Sequence, residues 1–337
     1  MATLKEIASY LNVSVSTVSR VVNNQDRVSP GTRKRILAAL KKFNYQPDEN
    51  ARCLKTKVSN TLGVIVPDIA NPFFALALKG IERIAADSGF TVLLCNTNAD
   101  EQREKNAVHL LLGQKVAGLV AATTLGSEEA EAVYGSVNCP VVFFDNVPQM
   151  DGETNSVTIN NARAASELTE HMVKKGHDVV FMIAGPEGES SSDERIRGWA
   201  DALRKNGIEP EESWLISGDN LEESGRCAME TLLEHEKLPI AVLASNNSMA
   251  YGAIKAVLDA GLNIPRDVSV CAFDTIDTTG LMKIKITSAL QPAEDIGAVA
   301  ADTCIQASVN KDIRIERHLV LEHKIIDNDS VSDEVLK

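Results

Sequence analysis

The sequence predicts an all-α head followed by an α/β core of two doubly wound parallel-sheet lobes. Three observations predict it. Residues 1–46 carry three short amphipathic helical patterns and a strong basic balance. From residue 61 onward, apolar strand-like runs alternate with amphipathic helical patterns, the signature of repeated βα units. There are also too many such runs for one comfortable sheet. The stretch NSVTINNARAASELTEHMVKKGHDVVFMIAG, starting at residue 155, reads as a fresh beginning of the same pattern, so two similar halves are expected.

The first helix starts at a capping box. Thr3 stands three residues before Glu6, ahead of a stripe of Leu4, Ile7, Ala8 and Leu11. Asn12 interrupts it, and Asn tolerates the left-handed backbone of a tight turn. Ser14 can cap a second helix whose apolar side is Val18, Val21 and Val22. Ser29 and Pro30 open a third, as cap and first helical residue, with Ile36, Leu37 and Leu40 expected to point inward. Pro47 is expected to stop that helix. Residues 47–60 are polar and basic and read as a linker, in which ENARCLK could form a short helix if something stabilised it.

In the core, TLGVIVPD, TVLLCNT, AGLVAAT, PVVFFD, DVVFMIAG, IAVLASN and VSVCAFD are apolar runs without polar alternation. That is how strands buried on both faces of a parallel sheet read. The core is expected to span residues 61–326, and residues 327–337, DNDSVSDEVLK, read as a polar tail.

Charge separates the two parts. The net charge is −13, yet residues 1–60 hold 11 Lys and Arg against 4 Asp and Glu, a balance of +7. The remainder holds 23 basic and 43 acidic residues. A basic module on an acidic body points to a polyanion partner for the head alone. No apolar run approaches the ~18 residues of a membrane span. The start of the chain has no apolar signal region, so a cytoplasmic location and no membrane partner are expected. Six scattered cysteines, with no CxxC pair, are expected to be reduced thiols, and the six histidines to lie at the surface without metal-ligand spacing.

Two helices joined by a tight turn, the second short and rich in hydroxyls, match a helix-turn-helix. The start of such a second helix enters the major groove. With the valines facing inward, Val15, Ser16, Thr17, Ser19 and Arg20 remain for DNA. Hydroxyls can bond base edges or phosphates, Val can meet a thymine methyl, and Arg can fork onto guanine.

The segments LKEIASYLNVSVSTVSRVVNN, VSPGTRKRILAALKKFNYQP, ARCLK and TLGVIVPDIANPFFALALKGIE resemble the lactose/galactose repressor family of bacterial transcription regulators. The likeness continues through GLVAAT, RIRGW, ASNNSMAYGA, FDTID and LQPAEDIG, and so covers nearly the whole chain. It implies that Val15 and Ser16 set operator preference. It also implies that Leu54, flanked by Ala51 and Lys55, wedges into the minor groove from a hinge helix, bending the duplex. A near-palindromic operator then calls for a homodimer.

For the core, the resemblance implies a fold like the periplasmic sugar-binding proteins, with an effector between the lobes, where strand C-termini meet. The matching residues are Phe73 and Phe74 as apolar wall, Arg195 on a ligand oxygen, Asn246 and Asp274 on hydroxyls, and Asp145 and Gln291. Such a set suits a sugar, a sugar acid or a sugar phosphate. Three positions depart from the family. Asn220 replaces an aromatic, which disfavours a stacked purine, and Asn247 stands where an Asp is usual. Asp302-Thr303 replaces the basic residue with which catabolite control relatives hold a phosphorylated carrier protein.

The function expected is a repressor governed by a small carbohydrate-like effector, with no cofactor and no metal. A catabolite-type regulator with a corepressor or protein partner is one alternative. An α/β enzyme with an accessory domain is another, but the sequence lacks GxGxxG after the first strand, GxxxxGK[ST], GxSxG and HExxH.

Overall fold

The computed structural model describes residues 3–22, 27–45, 59–151, 154–276, 283–310 and 318–333. The chain divides into two compact units, Met1–Ser59 and Asn60–Lys337.

In the first unit, α1 (Leu4–Leu11), α2 (Val15–Val22) and α3 (Pro30–Lys42) enclose Ile7, Ala8, Val18, Val21, Ile36 and Ala39. The capping box forms in both directions: Thr3 N donates to Glu6 Oε2 at 2.7 Å, and Glu6 N donates to Thr3 Oγ1 at 3.3 Å. Asn12 takes the left-handed conformation at φ 53°, and Val13 N reaches back to Ala8 O. That closes the last turn of α1 in the way a glycine usually does. Ser14 Oγ accepts from Thr17 N and so caps α2.

Two expectations for α3 need correction. The helix ends at Lys42, five residues before Pro47, because Asn44 turns left-handed at φ 46° and Tyr45 N bonds Leu40 O. Leu37 is 52% exposed, and Ala39 takes the inward position instead. A 100° step per residue places 36, 39 and 40 on one face and carries 37 off it.

The second unit holds two six-stranded sheets. The strands and helices run β1 (Thr61–Val66), α4 (Pro72–Asp87), β2 (Thr91–Asn96), α5 (Glu101–Gly113), β3 (Gly118–Ala121), α6 (Ser127–Tyr134), β4 (Val141–Phe144) and β5 (Asn155–Ile159). They continue as α7 (Asn161–Lys174), β6 (Val180–Ala184), α8 (Ser190–Lys205), β7 (Leu215–Ser217), α9 (Glu222–His235), β8 (Ile240–Ala244), α10 (Asn247–Asp259) and β9 (Val268–Phe273). Last come β10 (Thr287–Leu290), α11 (Ala293–Val309), β11 (His318–Leu321) and β12 (Lys324–Ile326). The sheet orders are β11-β5-β4-β3-β1-β2 and β12-β10-β9-β8-β6-β7. Every pairing is parallel except β10 with β12.

The halves do not divide at residue 155. β5 pairs with β4 and extends the first sheet, and the second lobe starts with α7, which packs on α8. The chain later returns: α11 packs on α4, and β11 joins the first sheet beside β5 before β12 rejoins the second. Each lobe is therefore assembled from separated stretches of sequence. Gly80 and Gly297 let α4 and α11 touch, since a Cβ on either would meet the backbone of the other helix.

Residues 328–332 are not a free tail. Thr287 Oγ1 donates to Asn328 O, Asn328 Nδ2 donates to Ile286 O, and Ser330 Oγ donates to Val270 O. Ser330 and Val331 are buried. The hydroxyls and amide that make this segment look soluble instead satisfy the open backbone of β9 and β10. Among the histidines, His177 and His323 are buried rather than superficial, and His323 Nε2 sits 2.9 Å from Glu167 Oε2. The five described cysteines are free thiols. No helix among the described residues is long and apolar enough to cross a membrane.

Candidate functional site

In the head, burial of Val18 and Val21 turns the rest of α2 outward. Val15 is 44% exposed, Ser16 and Arg20 are exposed, and Thr17 and Ser19 are half-buried. Ser14 Oγ lies 2.8 Å from Ser16 Oγ and 2.7 Å from Thr17 Oγ1. One capping hydroxyl therefore orients both side chains at the start of the helix. Ala51, Leu54 and Lys55 lie outside the described residues.

In the core, a cavity of about 380 Å³ is lined by residues from both lobes. Phe73, Phe74, Asp145, Arg195, Asn246, Asp274 and Gln291 all line it. Asn71 caps α4 and is followed by Pro72, so Phe73 and Phe74 project from the first turn. Their rings meet edge to face with centroids 5.1 Å apart, and Phe144 supports Phe74 at 6.2 Å.

Arg195 extends from the second turn of α8 and is 6% exposed. Its Nε donates to Asn161 Oδ1 at 2.9 Å, its Nη1 donates to Ser245 O at 2.6 Å, and its guanidinium lies over the Phe273 ring at 4.1 Å. Nη2 has no hydrogen-bond partner among the described residues and stands 4.0 Å from Asp145 Oδ1. The group is locked on one side and open on the other.

Asp145 and Asp274 follow β4 and β9 with φ of 65° and 52°. Left-handed backbone at two strand ends is local strain, tolerated best by Asp and Asn, and it turns both carboxylates toward the cavity. Asp274 accepts from both Gln291 N and Gln291 Nε2 at 2.8 Å. That leaves Gln291 Oε1 buried with no partner among the described residues. Burial pushes the Asp274 carboxyl up to about 6, against the pull of Gln291 and Arg195. Burial raises Asp145 as well, although Arg195 opposes it.

Asn246 differs from its expected part. Its Oδ1 caps α10 by accepting from Met249 N, and its Nδ2 donates to Asn220 O. The amide is committed to holding the loop around Asn220, which has φ 67°.

Further cavity residues that were not among the expected ligand contacts shape the site. Glu189 stands just before α8 in the loop after β6 without a side-chain capping bond, and its Oε2 accepts from Asn220 Nδ2 at 2.9 Å. Burial, then the negative Asp145, push its carboxyl up to about 7. Position alone was the available signal, since loops after parallel strands open onto the cleft. Asn71 and Asn247 form a reciprocal amide pair across the lobes, each Nδ2 donating to the other's Oδ1 at 3.0 and 2.8 Å. An Asp at 247 could accept only, so the departure from the family pattern has a structural counterpart.

Residues 3–48 match the family described as bacterial regulatory proteins, lacI family, and residues 59–326 match periplasmic binding proteins and sugar binding domain of LacI family. The chain is 32% identical over 324 residues to catabolite control protein A of Priestia megaterium, covering 96% of this chain and 97% of that protein. It is 31% identical over 320 residues to the ribose operon repressor of Escherichia coli K12, covering 94% and 96%. Among solved structures, a lac repressor dimer bound to operator and an anti-inducer superposes with a TM-score of 0.86 at 29% identity, covering 98% and 99%. By both its domains and nearly its full length, the chain belongs to the LacI family of bacterial regulatory proteins.

Proposed function

We propose that the chain is a cytoplasmic, non-enzymatic transcriptional repressor. It binds a near-palindromic operator as a homodimer and responds to a small carbohydrate-like effector in the cavity between its core lobes. The observation that carries this reading is the pairing, in one chain, of an outward-facing hydroxyl-rich α2 with a cavity built from locked polar groups and an aromatic wall. Val15, Ser16, Thr17, Ser19 and Arg20 read the major groove, and Ala51, Leu54 and Lys55 engage the minor groove. Phe73 and Phe74 pack against the effector's C–H face, and Arg195, Asp145, Asp274 and Gln291 bond its polar groups. Asn246 shapes the pocket. Effector binding shifts a two-state equilibrium between lobe arrangements, which lowers operator affinity by the difference in effector affinity for the two states.

Operator binding of the full chain, measured across salt concentrations with and without sugars, tests this. Affinity should fall steeply with salt, depend on operator symmetry, and drop on Leu54→Ala. Affinity that ignores both symmetry and Leu54 overturns the reading. Likeness to catabolite control protein A supports a second reading, a regulator working with a protein corepressor. Against it, Asp302 accepts from Gln306 Nε2 and Thr303 is buried, which leaves no basic group at that place.

A further inference from the structure

We infer that the effector carries a positively charged amine, as an amino sugar or amino polyol does, with its ammonium seated between Asp145 and Glu189. This rests on the cleft being the effector site, and it narrows the ligand class.

The first ground is charge. Asp68, Glu101, Asp145, Glu189, Asp219 and Asp274 line the cavity, and Arg195 is the one Lys or Arg among the described residues that does. That single cation has two of its nitrogens committed to Asn161 and Ser245. An anionic ligand would enter a pocket whose acids already disfavour negative charge.

The second ground is what remains open for bonding. Asn246 is engaged with Asn220, and Asn71 with Asn247 through one N–H each, so that Asn71 Nδ2 and Asn247 Nδ2 each keep a second N–H. Buried polar groups demand partners. Two nine-tenths-buried side chains present unpartnered atoms, Arg195 Nη2 and Gln291 Oε1. Only the first is a donor. Gln291 Oε1, the Asp145 carboxylate and the remaining Glu189 oxygen are acceptors. Two of these acceptors are carboxylates, so the occupant that meets them best brings a cation, an ammonium with hydroxyls beside it for Gln291 Oε1 and the amide N–H groups, and not a phosphate or carboxylate.

The third ground is how Glu189 is held. Asn220, in the place of the family's aromatic, grips Glu189 Oε2 and exposes no stacking face. Asp145, Asp193 and Arg195 are the charged groups that act on Glu189, and both acids oppose its ionisation. A ligand cation removes that opposition.

The test is calorimetric titration of the full-length protein with matched sets: D-glucosamine, D-galactosamine and D-mannosamine, their parent hexoses, and the corresponding hexose 6-phosphates. In at least one set the amine should bind about tenfold or more tightly than the hexose, with the phosphate weakest, since a charge-assisted bond is strong enough for that margin. Glu189→Gln and Asp145→Asn should each weaken the amine about tenfold or more and the hexose less than about threefold. Asn tolerates the left-handed backbone at 145, and a melting curve confirms that both variants fold. A hexose or phosphate that binds as tightly as its amine in every set overturns the assignment. So does an unchanged amine affinity in Glu189→Gln, or a screen in which no amine binds. If hexoses or phosphates bind and Arg195→Ala, shown by its melting curve to be folded, abolishes that binding, the cleft reading stands while the amine falls. Binding indifferent to both Arg195→Ala and Phe74→Ala removes the cleft reading itself.

Discussion

The two recognition surfaces of this chain are built in opposite ways. On α2, Val15, Ser16 and Arg20 are exposed, and the surface is anchored by two buried valines beneath it and one capping serine at its start. In the cleft, Arg195, Asp274 and Gln291 are buried, and each is held by other buried groups. A surface of the first kind can change its message without disturbing the fold. One of the second kind cannot, because every substitution strands a partner.

The largest break of this contrast is Arg195→Ala. It leaves Asn161 Oδ1 and Ser245 O without their donor and Asp145 without its cation. Loss of one partner from a buried charged network costs about 3–5 kcal/mol, measurable by chemical denaturation of the core together with loss of effector response. Within the head, Ile36→Ala should cost about 2–5 kcal/mol, whereas Leu37→Ala next to it should stay within about 0.5 kcal/mol. Hydrogen exchange of the α1–α3 amides in the full chain separates the two. Equal effects would mean that Leu37 is covered.

Asn247→Asp should be milder. It keeps the acceptor for Asn71 Nδ2 but sets a carboxylate oxygen against Asn71 Oδ1, a loss of about 1 kcal/mol in lobe closure. Small-angle scattering should then show a more open core without effector.

Glu189 gives a pH signature. Its carboxyl is held at about 7 in the folded protein, above the ordinary 4.5. The folded state therefore binds the proton more tightly, and stability falls as pH rises from about 4.5 to 7. Glu189→Gln should raise the melting temperature at pH 8 and leave it unchanged at pH 4. The smallest effect on stability is expected from exchanging Val15 and Ser16. Operator preference should change in a binding-site selection while the melting curve does not move. An unchanged preference would remove these two residues from specificity.

Much of the fold was legible. Thr3 with Glu6, Asn12, Ser29 and Pro30 declare the head's helices, because caps and turns depend on side chains acting within four residues of their own backbone. The apolar runs declare seven strands, six of them because burial on both faces demands continuous hydrophobicity, whereas β2 is an edge strand that leaves Leu93 and Leu94 exposed. Other features depend on partners distant in sequence. β5 carries no mark of which sheet it joins, and residues 328–332 look like a solvated tail because their polar groups bond strands 41 to 63 residues earlier in the chain. Leu37 is a different case: the helical step alone carries it off the face of Ile36, Ala39 and Leu40, and its hydrophobicity outweighs that position only on paper.

The site divides along the same line. Phe73, Phe74, Asp145, Arg195, Asp274 and Gln291 follow from the family resemblance, and the folded chain gathers them around one cavity. Which of their atoms are engaged and which stay open is decided by packing between the lobes. Asn246 became a cap, Asn220 a clamp on Glu189, and Asn247 half of a bridge to Asn71. By itself the sequence determined that there is a basic helical head and a two-lobed α/β core, because these rest on periodicity, charge and caps, while the polar cleft followed from the family resemblance. Only the tertiary structure decided the cleft's balance of donors and acceptors, since a polar atom is available to a ligand only when no neighbour from elsewhere in the chain has engaged it.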